Sequence, residues 1–255
     1  MSTAVMGSEV APRASERFHF RMAIVFVIIA FGGFIPTYWV PLTSGQLHAP
    51  PAMHIHGTLQ FAWTLFYLAQ TGWVATGRTP RHRAWGLAGI SLFTLLCCSI
   101  ILLKITMMRI DDTRGYGEAT RTFSAVALLA LPVMIGLFAA AIANVRRPEV
   151  HKRLMFSLMA GFMVPAIARV FITLFAPPGA LAGAPPPPFV SLPPTIVALL
   201  LIAVAIAYDW RRERRVHAAY VWPAALILLS NLFTLAVAGT PTWHAIARYV
   251  QGIAG

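Results

Sequence analysis

The stretch from Phe123 to Ala143 reads FSAVALLALPVMIGLFAAAIA and contains no charged residue. A helix needs about 20 consecutive, mostly apolar residues to cross the roughly 30 Å hydrocarbon core of a bilayer. Only helices and closed barrels satisfy their backbone hydrogen bonds inside lipid, and a run of this length is typical of a helix. The segment Thr122–Ala143 therefore predicts a transmembrane helix.

Six further apolar runs flank this one. They are Met22–Val40, Thr58–Thr76, Ala84–Thr106, Leu154–Phe175, Thr195–Ala207 with its flanks, and Ala218–Ala238. The run at 195–207 is the shortest, and it spans a bilayer only if Pro193 or Pro194 begins it and Tyr208 and Trp210 anchor it at the interface. The pattern predicts an all-α polytopic transmembrane bundle of about seven spans.

Composition supports lipid as the solvent. Of the 255 residues, 58% are hydrophobic and 11% are charged, and the mean hydropathy is +0.71. Soluble domains carry about 25% charged residues, so this chain could not cover its own surface in water. The net charge of +12 comes from short basic clusters between apolar runs, which excludes nucleic acid and indicates the bilayer as the partner. Cys97 and Cys98 are adjacent in an apolar run and are interpreted as packing residues.

The basic residues also predict orientation, because cytoplasmic loops are enriched in Lys and Arg. One side carries fourteen: Arg13, Arg17, Arg21, Arg78, Arg81, Arg83, Arg146, Arg147, Lys152, Arg153, Arg211, Arg212, Arg214 and Arg215. The other side carries five: Lys104, Arg109, Arg114, Arg121 and Arg248. We therefore expect a cytoplasmic N-terminal segment (1–21), a seven-helix membrane domain (22–239) and a short outer amphipathic segment (240–255).

The second span carries an unusual set of polar residues. His56, Gln60, Trp63, Tyr67 and Gln70 are spaced four, three, four and three residues apart, which places them on one stripe of a helix. Polar side chains facing lipid cost free energy, so the stripe is expected to face the bundle interior. Two interpretations remain open: hydrogen bonds between helices, or the wall of a cofactor, ion or substrate site.

Arg169 and two further histidines add to this outer region. Arg169 is expected at about the depth of His56, where it either extends to the outer headgroups or pairs inside the bundle. Its partner would then be Asp111 or Asp112, or a bound ligand. His54 and His56 could ligate a metal if the chain is extended there, because residues two apart then point the same way. His48 and His244 are the other histidines predicted on this side.

On the basic side, His82, His151 and His217 each precede a span. They form either headgroup contacts or a small cluster, and the intervals of 69 and 66 residues between them are compatible with a duplicated hairpin. All eight acidic residues, among them Glu149, Asp209 and Glu213, are expected outside the spans. General acid–base chemistry by carboxylates inside the membrane is therefore not expected.

Several of these residues carry a resemblance. It rests on His56–Gly57, Gln70, His82–Arg83, Gly86, His151–Lys152–Arg153–Leu154–Met155 and Ala168–Arg169. With these motifs, residues 20–175 resemble a group of bacterial multi-pass membrane proteins of unknown function. The resemblance implies a location in the bacterial cytoplasmic (inner) membrane and supplies no activity. Cytochrome b561-like bundles hold haem between histidines of different helices, and this chain departs from them because its histidines lie at helix ends.

Three functions follow as hypotheses, and no enzyme motif is present. In the favoured one, haem b, a metal ion or quinone is held at an outward-facing polar site by His54, His56, Gln60, Trp63, Tyr67, Gln70 and Arg169. The second is a transporter for a small solute, which predicts a continuous polar path. The third is an assembly or scaffolding subunit whose partner is another membrane protein or a second copy of the chain.

Overall fold

The computed structural model describes residues 14–177 and 183–253, and within them it contains helices and no strand. The long helices are α1 Ala14–Gly33, α2 Pro51–Ala75, α3 Gly86–Thr113, α4 Gly117–Ala143, α5 Pro148–Phe162, α6 Val164–Phe175, α7 Leu192–Glu213, α8 Ala218–Val237 and α9 Pro241–Gly252. Shorter helical pieces are Ile35–Trp39 (π), Val40–Thr43, Thr79–Ala84 and Pro188–Ser191 (3₁₀). The prediction of an all-helical protein is confirmed.

Six helical segments are long and apolar enough to cross a membrane. They are Ala14–Thr43, Gly86–Thr113, Gly117–Ala143, Pro148–Phe175, Pro188–Glu213 and Ala218–Val237. Helix α2 has 25 residues but is not one of them, because its His, Gln and Thr side chains lower its hydropathy. The seven-span count therefore stays a prediction. The segment predicted as the shortest span is a full 22-residue helix that begins at Leu192 and runs past Trp210.

Consecutive helices pack against each other from α1 to α5 and from α6 to α8, and α8 also contacts α4 and α5. Tyr220 at the start of α8 meets His19 near the start of α1, with 3.1 Å between Oη and Nε2. We call the end where α1, α3, α5 and α8 begin the basic end, and the opposite end the cavity end. Large buried aromatic side chains, including Phe26, Trp63 and Phe156, fill the middle of the bundle.

Proline interrupts the regular helices near the cavity end. A π-helical turn, Ile35–Trp39, follows α1 and contains Pro36. The fifth predicted span, Leu154–Phe175, is two helices, α5 and α6, which meet at Met163 two residues before Pro165. Proline lacks an N–H and its ring clashes with the preceding turn, so it breaks or bends a helix.

At Gly33, helix α1 approaches the backbone of helix α6 closely. A Cβ added there would collide with the backbone oxygen of Ala166 and lie 2.8 Å from its carbonyl carbon, whereas a Cβ on Gly32 meets nothing within 4 Å. Backbone cannot move aside cheaply, so G33A is expected to cost about 1–3 kcal/mol of stability relative to G32A. Thermal unfolding of the two purified variants measures this difference. Equal melting temperatures would contradict the close packing.

The C-terminal segment forms α9 at the cavity end. It packs against α3 and α4, and Trp243 and Ala247 are buried there. The indole N–H of Trp243 donates to the backbone oxygen of Arg121 at 2.8 Å. The opposite face exposes Ile246 and Tyr249. The amphipathic helix thus has one face on protein and one facing outward.

Candidate ligand-binding cavity

A cavity of about 520 Å³ lies among the helices at the cavity end. Its walls are mostly apolar and come from α1 to α8, with Leu47–Pro50 of the first loop beside it. Its polar lining includes His56, Gln60, Lys104, Arg114, Arg169 and Asn231. No carboxylate is among the described residues that line it. The cavity therefore combines apolar walls with an excess of positive charge.

Two of these cations have no charged partner. The guanidinium of Arg169 lies 5.8 Å from the centre of the Phe34 ring, and the ammonium of Lys104 lies 5.6 Å from that of Phe123. Neither side chain makes an ion pair or a hydrogen bond with the described residues. Ring faces attract cations only weakly compared with a carboxylate, so both charges remain largely uncompensated.

The carboxylates proposed as partners of Arg169 are engaged elsewhere. Asp111 accepts a hydrogen bond from the hydroxyl of Thr120 at 2.7 Å. Asp112 pairs with Arg121, also at 2.7 Å. The alternative that paired Arg169 with Asp111 or Asp112 is therefore wrong for this structure.

His56 presents an unprotonated nitrogen in the cavity region. The Ser99 hydroxyl donates to the backbone oxygen of Leu96 at 2.7 Å, so it accepts from Nδ1 of His56 at 3.0 Å. This hydrogen bond fixes the proton on Nδ1 and leaves the lone pair on Nε2. Gln60, one turn further along α2, also lines the cavity, and its buried amide nitrogen has no partner among the described residues.

The two histidines considered as metal ligands do not come together. Helix α2 begins at Pro51, so His54 and His56 are both helical and their side chains diverge. His54 Nδ1 forms a hydrogen bond with the hydroxyl of Tyr38 at 2.9 Å, whereas His56 forms one with Ser99. The extended geometry on which this metal site depends is absent.

The rest of the stripe lies deeper than the cavity. Trp63, Tyr67 and Gln70 are 1%, 5% and 8% exposed, so they face the interior, and none of them lines the cavity. The indole nitrogen of Trp63 and both amide atoms of Gln70 are buried without a partner among the described residues. The stripe thus divides into a cavity part, His56 and Gln60, and a closed part nearer the basic end.

Two of the three basic-end histidines are neighbours. The rings of His82 and His151 stand 6.1 Å apart in an edge-to-face arrangement. His151 donates from Nδ1 to the backbone oxygen of Ala141 at 2.8 Å. His217 instead lies 2.7 Å from the Glu213 carboxylate. The structure joins His82 to His151 but gives His217 a different partner.

Burial of His82, with His151 and Arg83 nearby, lowers its pKa to about 4. The unfolded chain, with an ordinary value near 6.5, then binds more protons than the folded one. Stability is accordingly expected to fall as pH drops from about 6.5 towards 4. H82Q should lessen the loss of melting temperature between about pH 7.5 and pH 5. Equal pH slopes for H82Q and wild type would contradict this.

The sequence interpretation missed a buried ion cluster at the basic end. Arg153, counted there as a loop cation, is 0% exposed, and its Nε lies 2.7 Å from Oδ2 of Asp209, which is 1% exposed. Its other nitrogens reach Glu149 at 2.7 Å and Glu213 at 3.5 Å. Asp209, expected in a loop, instead belongs to α7 and is buried there.

Asp209, Glu213 and His217 also form the one group of three potential metal ligands among the described residues. Their ligand atoms lie within 4.8 Å of one another. Arg153 already makes ion pairs with both carboxylates. Its guanidinium therefore supplies the positive charge that a metal ion would otherwise supply. The group is therefore an ion cluster held by arginine.

Six apolar helices define this chain as a multi-pass membrane protein. Comparison with protein-family models, with curated proteins and with solved structures found no match. The resemblance to bacterial multi-pass proteins stays a prediction. Function must therefore be argued from the cavity itself.

Proposed function

We propose that this membrane protein binds an amphipathic anion in the cavity, with Arg169 and Lys104 as the anion site. The ligand carries a carboxylate, phosphate or sulfonate group on an apolar body. The observation that carries this proposal is the pair of uncompensated cations in a mostly apolar, carboxylate-free cavity. We place the protein in the bacterial cytoplasmic membrane with seven spans and the basic end in the cytoplasm.

The energetics favour a ligand of this class. Charged side chains at membrane depth are costly, and they are generally paired or face a functional site. An anionic group would neutralise Arg169 and Lys104 with charge-assisted hydrogen bonds. The apolar walls would bury the rest of the molecule, and a cavity of this size suits a small organic ligand.

Among the cofactors considered from sequence, haem b belongs to this class because its propionates are carboxylates. His56 would offer it the free Nε2, and Arg169 and Lys104 would hold the propionates. A quinone would use His56 and Gln60 but would leave both cations unpaired. A metal ion would meet like charge from Lys104, Arg114 and Arg169. The cavity therefore favours an organic anion.

A matched set of probes tests the proposal. Octanesulfonate, octyltrimethylammonium and octanol share one chain length and carry a negative, a positive and no charge. Equilibrium binding to the detergent-purified protein is expected for octanesulfonate and not for the cation. Equal binding of all three would overturn the proposal, because it would reveal only a hydrophobic cavity.

An optical spectrum separates the sources of the anion. Reduction of the purified protein with dithionite gives a haem-type difference band if haem is the resident ligand, and H56A should then remove the band. A colourless protein that still binds octanesulfonate identifies a lipid-like anion instead. A scaffolding subunit without a ligand site would show neither signal, and that result would contradict the proposal.

A further inference from the structure

The half of the bundle between the cavity and the basic end is closed. Trp63 stands 5.4 Å from Phe93, and Phe93 stacks on Phe138 at 3.9 Å between ring centres. In α1, α2, α3 and α8 the residues that line the cavity lie from the middle of the helix to its cavity end, and in α4 they reach only to Met134, one turn past its middle. A ligand in the cavity is therefore separated from the basic end by packed aromatic side chains.

The Arg153 cluster then ties the helices together at the basic end. Arg153 joins α5 to α7 through Asp209 and Glu213. Its neighbour Lys152 joins α5 to α1 through the Ser15 hydroxyl at 2.9 Å. Buried ion pairs add little stability beyond what apolar packing would give, and registry or switching is their best-attested use.

The closed half contains buried polar groups that a purely structural barrier would not require. The indole nitrogen of Trp63, both amide atoms of Gln70 and the Ser157 hydroxyl are buried without a partner among the described residues. Each such group costs free energy, so each calls for an explanation. On α2, Trp63 and Gln70 continue the stripe that starts at His56 and Gln60 and extends from the cavity towards the basic end.

Two helix interruptions lie on the cavity side of the closed half. The break at Met163 divides α5, which carries Arg153, from α6, which carries Arg169. The π-helical turn Ile35–Trp39 adjoins the cavity through Tyr38. Interrupted helices at a central binding site are the usual construction of proteins that open alternately to the two sides of a membrane.

We infer that the protein transports the anion, and that the Arg153 cluster is the gate that holds the basic end closed while the cavity is loaded from the other end. The inference rests on the proposed binding function and goes beyond it. Separation of α5 from α7 would expose the cluster to water and open the route along Gln60, Trp63 and Gln70. The part-exposed Glu149 and Glu213 are where water first reaches the cluster.

Exchange in proteoliposomes tests transport. Vesicles that contain the full chain are loaded with unlabelled octanesulfonate and diluted into radiolabelled octanesulfonate, which keeps its charge and crosses lipid poorly. Accumulation of label inside the vesicles is expected, and vesicles without protein are the control. Inserted molecules of either orientation contribute to exchange, so the result does not depend on topology.

A reversible lock tests the gate. The Glu149 and Glu213 carboxylates both contact Arg153, so cysteines at these positions come within reach of a short bifunctional methanethiosulfonate. E149C/E213C, made with C97A and C98A, keeps the buried Arg153–Asp209 pair. Exchange by the uncrosslinked variant is the baseline, which crosslinking is expected to abolish and a reductant to restore. A monofunctional reagent controls for modification of the two cysteines without a crosslink. Octanesulfonate binding should persist throughout, which reports that the cavity stays folded.

The outcomes separate the two proposals. Wild-type protein that binds octanesulfonate but does not exchange it overturns transport and leaves the binding function standing. Exchange that continues after crosslinking overturns the proposal that the Arg153 cluster is the gate. Absence of binding by the wild-type protein overturns the proposed function and, with it, transport.

Discussion

Replacement of Arg153 by methionine is expected to lower the free energy of unfolding by about 3–5 kcal/mol. Asp209 is 1% exposed, and Arg153 is its one ion-pair partner among the described residues. The variant therefore leaves a buried carboxylate without a cation. Glu149 keeps Lys152 at 2.6 Å and Glu213 keeps His217, so the cost concentrates on Asp209. Thermal unfolding of the purified protein in one detergent measures the loss.

The double variant R153M/D209L is the matched control. It removes both charges, so no buried carboxylate is left uncompensated, and most of the lost stability should return. If D209L added to R153M instead lowers stability further, the two side chains do not act as a pair. R211M, at an exposed basic-end position, should change stability by about 0.5 kcal/mol or less.

Removal of either cavity cation is expected to weaken octanesulfonate binding about tenfold or more. A hydrogen bond to a charged group contributes about 1.5–3 kcal/mol, and 1.4 kcal/mol corresponds to a factor of ten. R169M and K104M remove the charge and keep an unbranched apolar side chain, although methionine is shorter than arginine and lysine. The double variant R169M/K104M should bind octanesulfonate no more tightly than it binds octanol.

R211M again serves as the control, because it removes one positive charge outside the cavity. Unchanged affinity in R169M/K104M would show that the anion binds elsewhere on this basic protein. If R211M and R169M lost affinity equally, the loss would depend only on the net charge of the protein. R169K should retain part of the affinity, since it keeps the charge but loses the guanidinium geometry.

The polar stripe on α2 could be predicted because it depends on one helix alone. Helical spacing places His56 to Gln70 on one face, and the cost of polar groups in lipid turns that face inward. The sequence could not show where the stripe leaves the cavity and enters the closed half. That boundary depends on which aromatic side chains of α3 and α4 pack against Trp63.

The Arg153 cluster could not be predicted because orientation rules treat all loop cations alike. Glu149 and Arg153 are four residues apart on a helix, as are Asp209 and Glu213, which indicates paired faces but not burial. Burial arises when α5 and α7 pack together and bring Arg153 and Asp209, 56 residues apart in the chain, into contact. The π-helical turn Ile35–Trp39 and the break at Met163 likewise appear only in the folded bundle.

The position of a bound anion tests the central claim most directly. Crystals grown with 8-bromooctanesulfonate would locate the bromine by its anomalous scattering and the sulfonate by its density. We predict one molecule inside the cavity, with the sulfonate oxygens in hydrogen-bond contact with Arg169 or Lys104. A probe found only on the lipid-facing surface or at the basic end would contradict it.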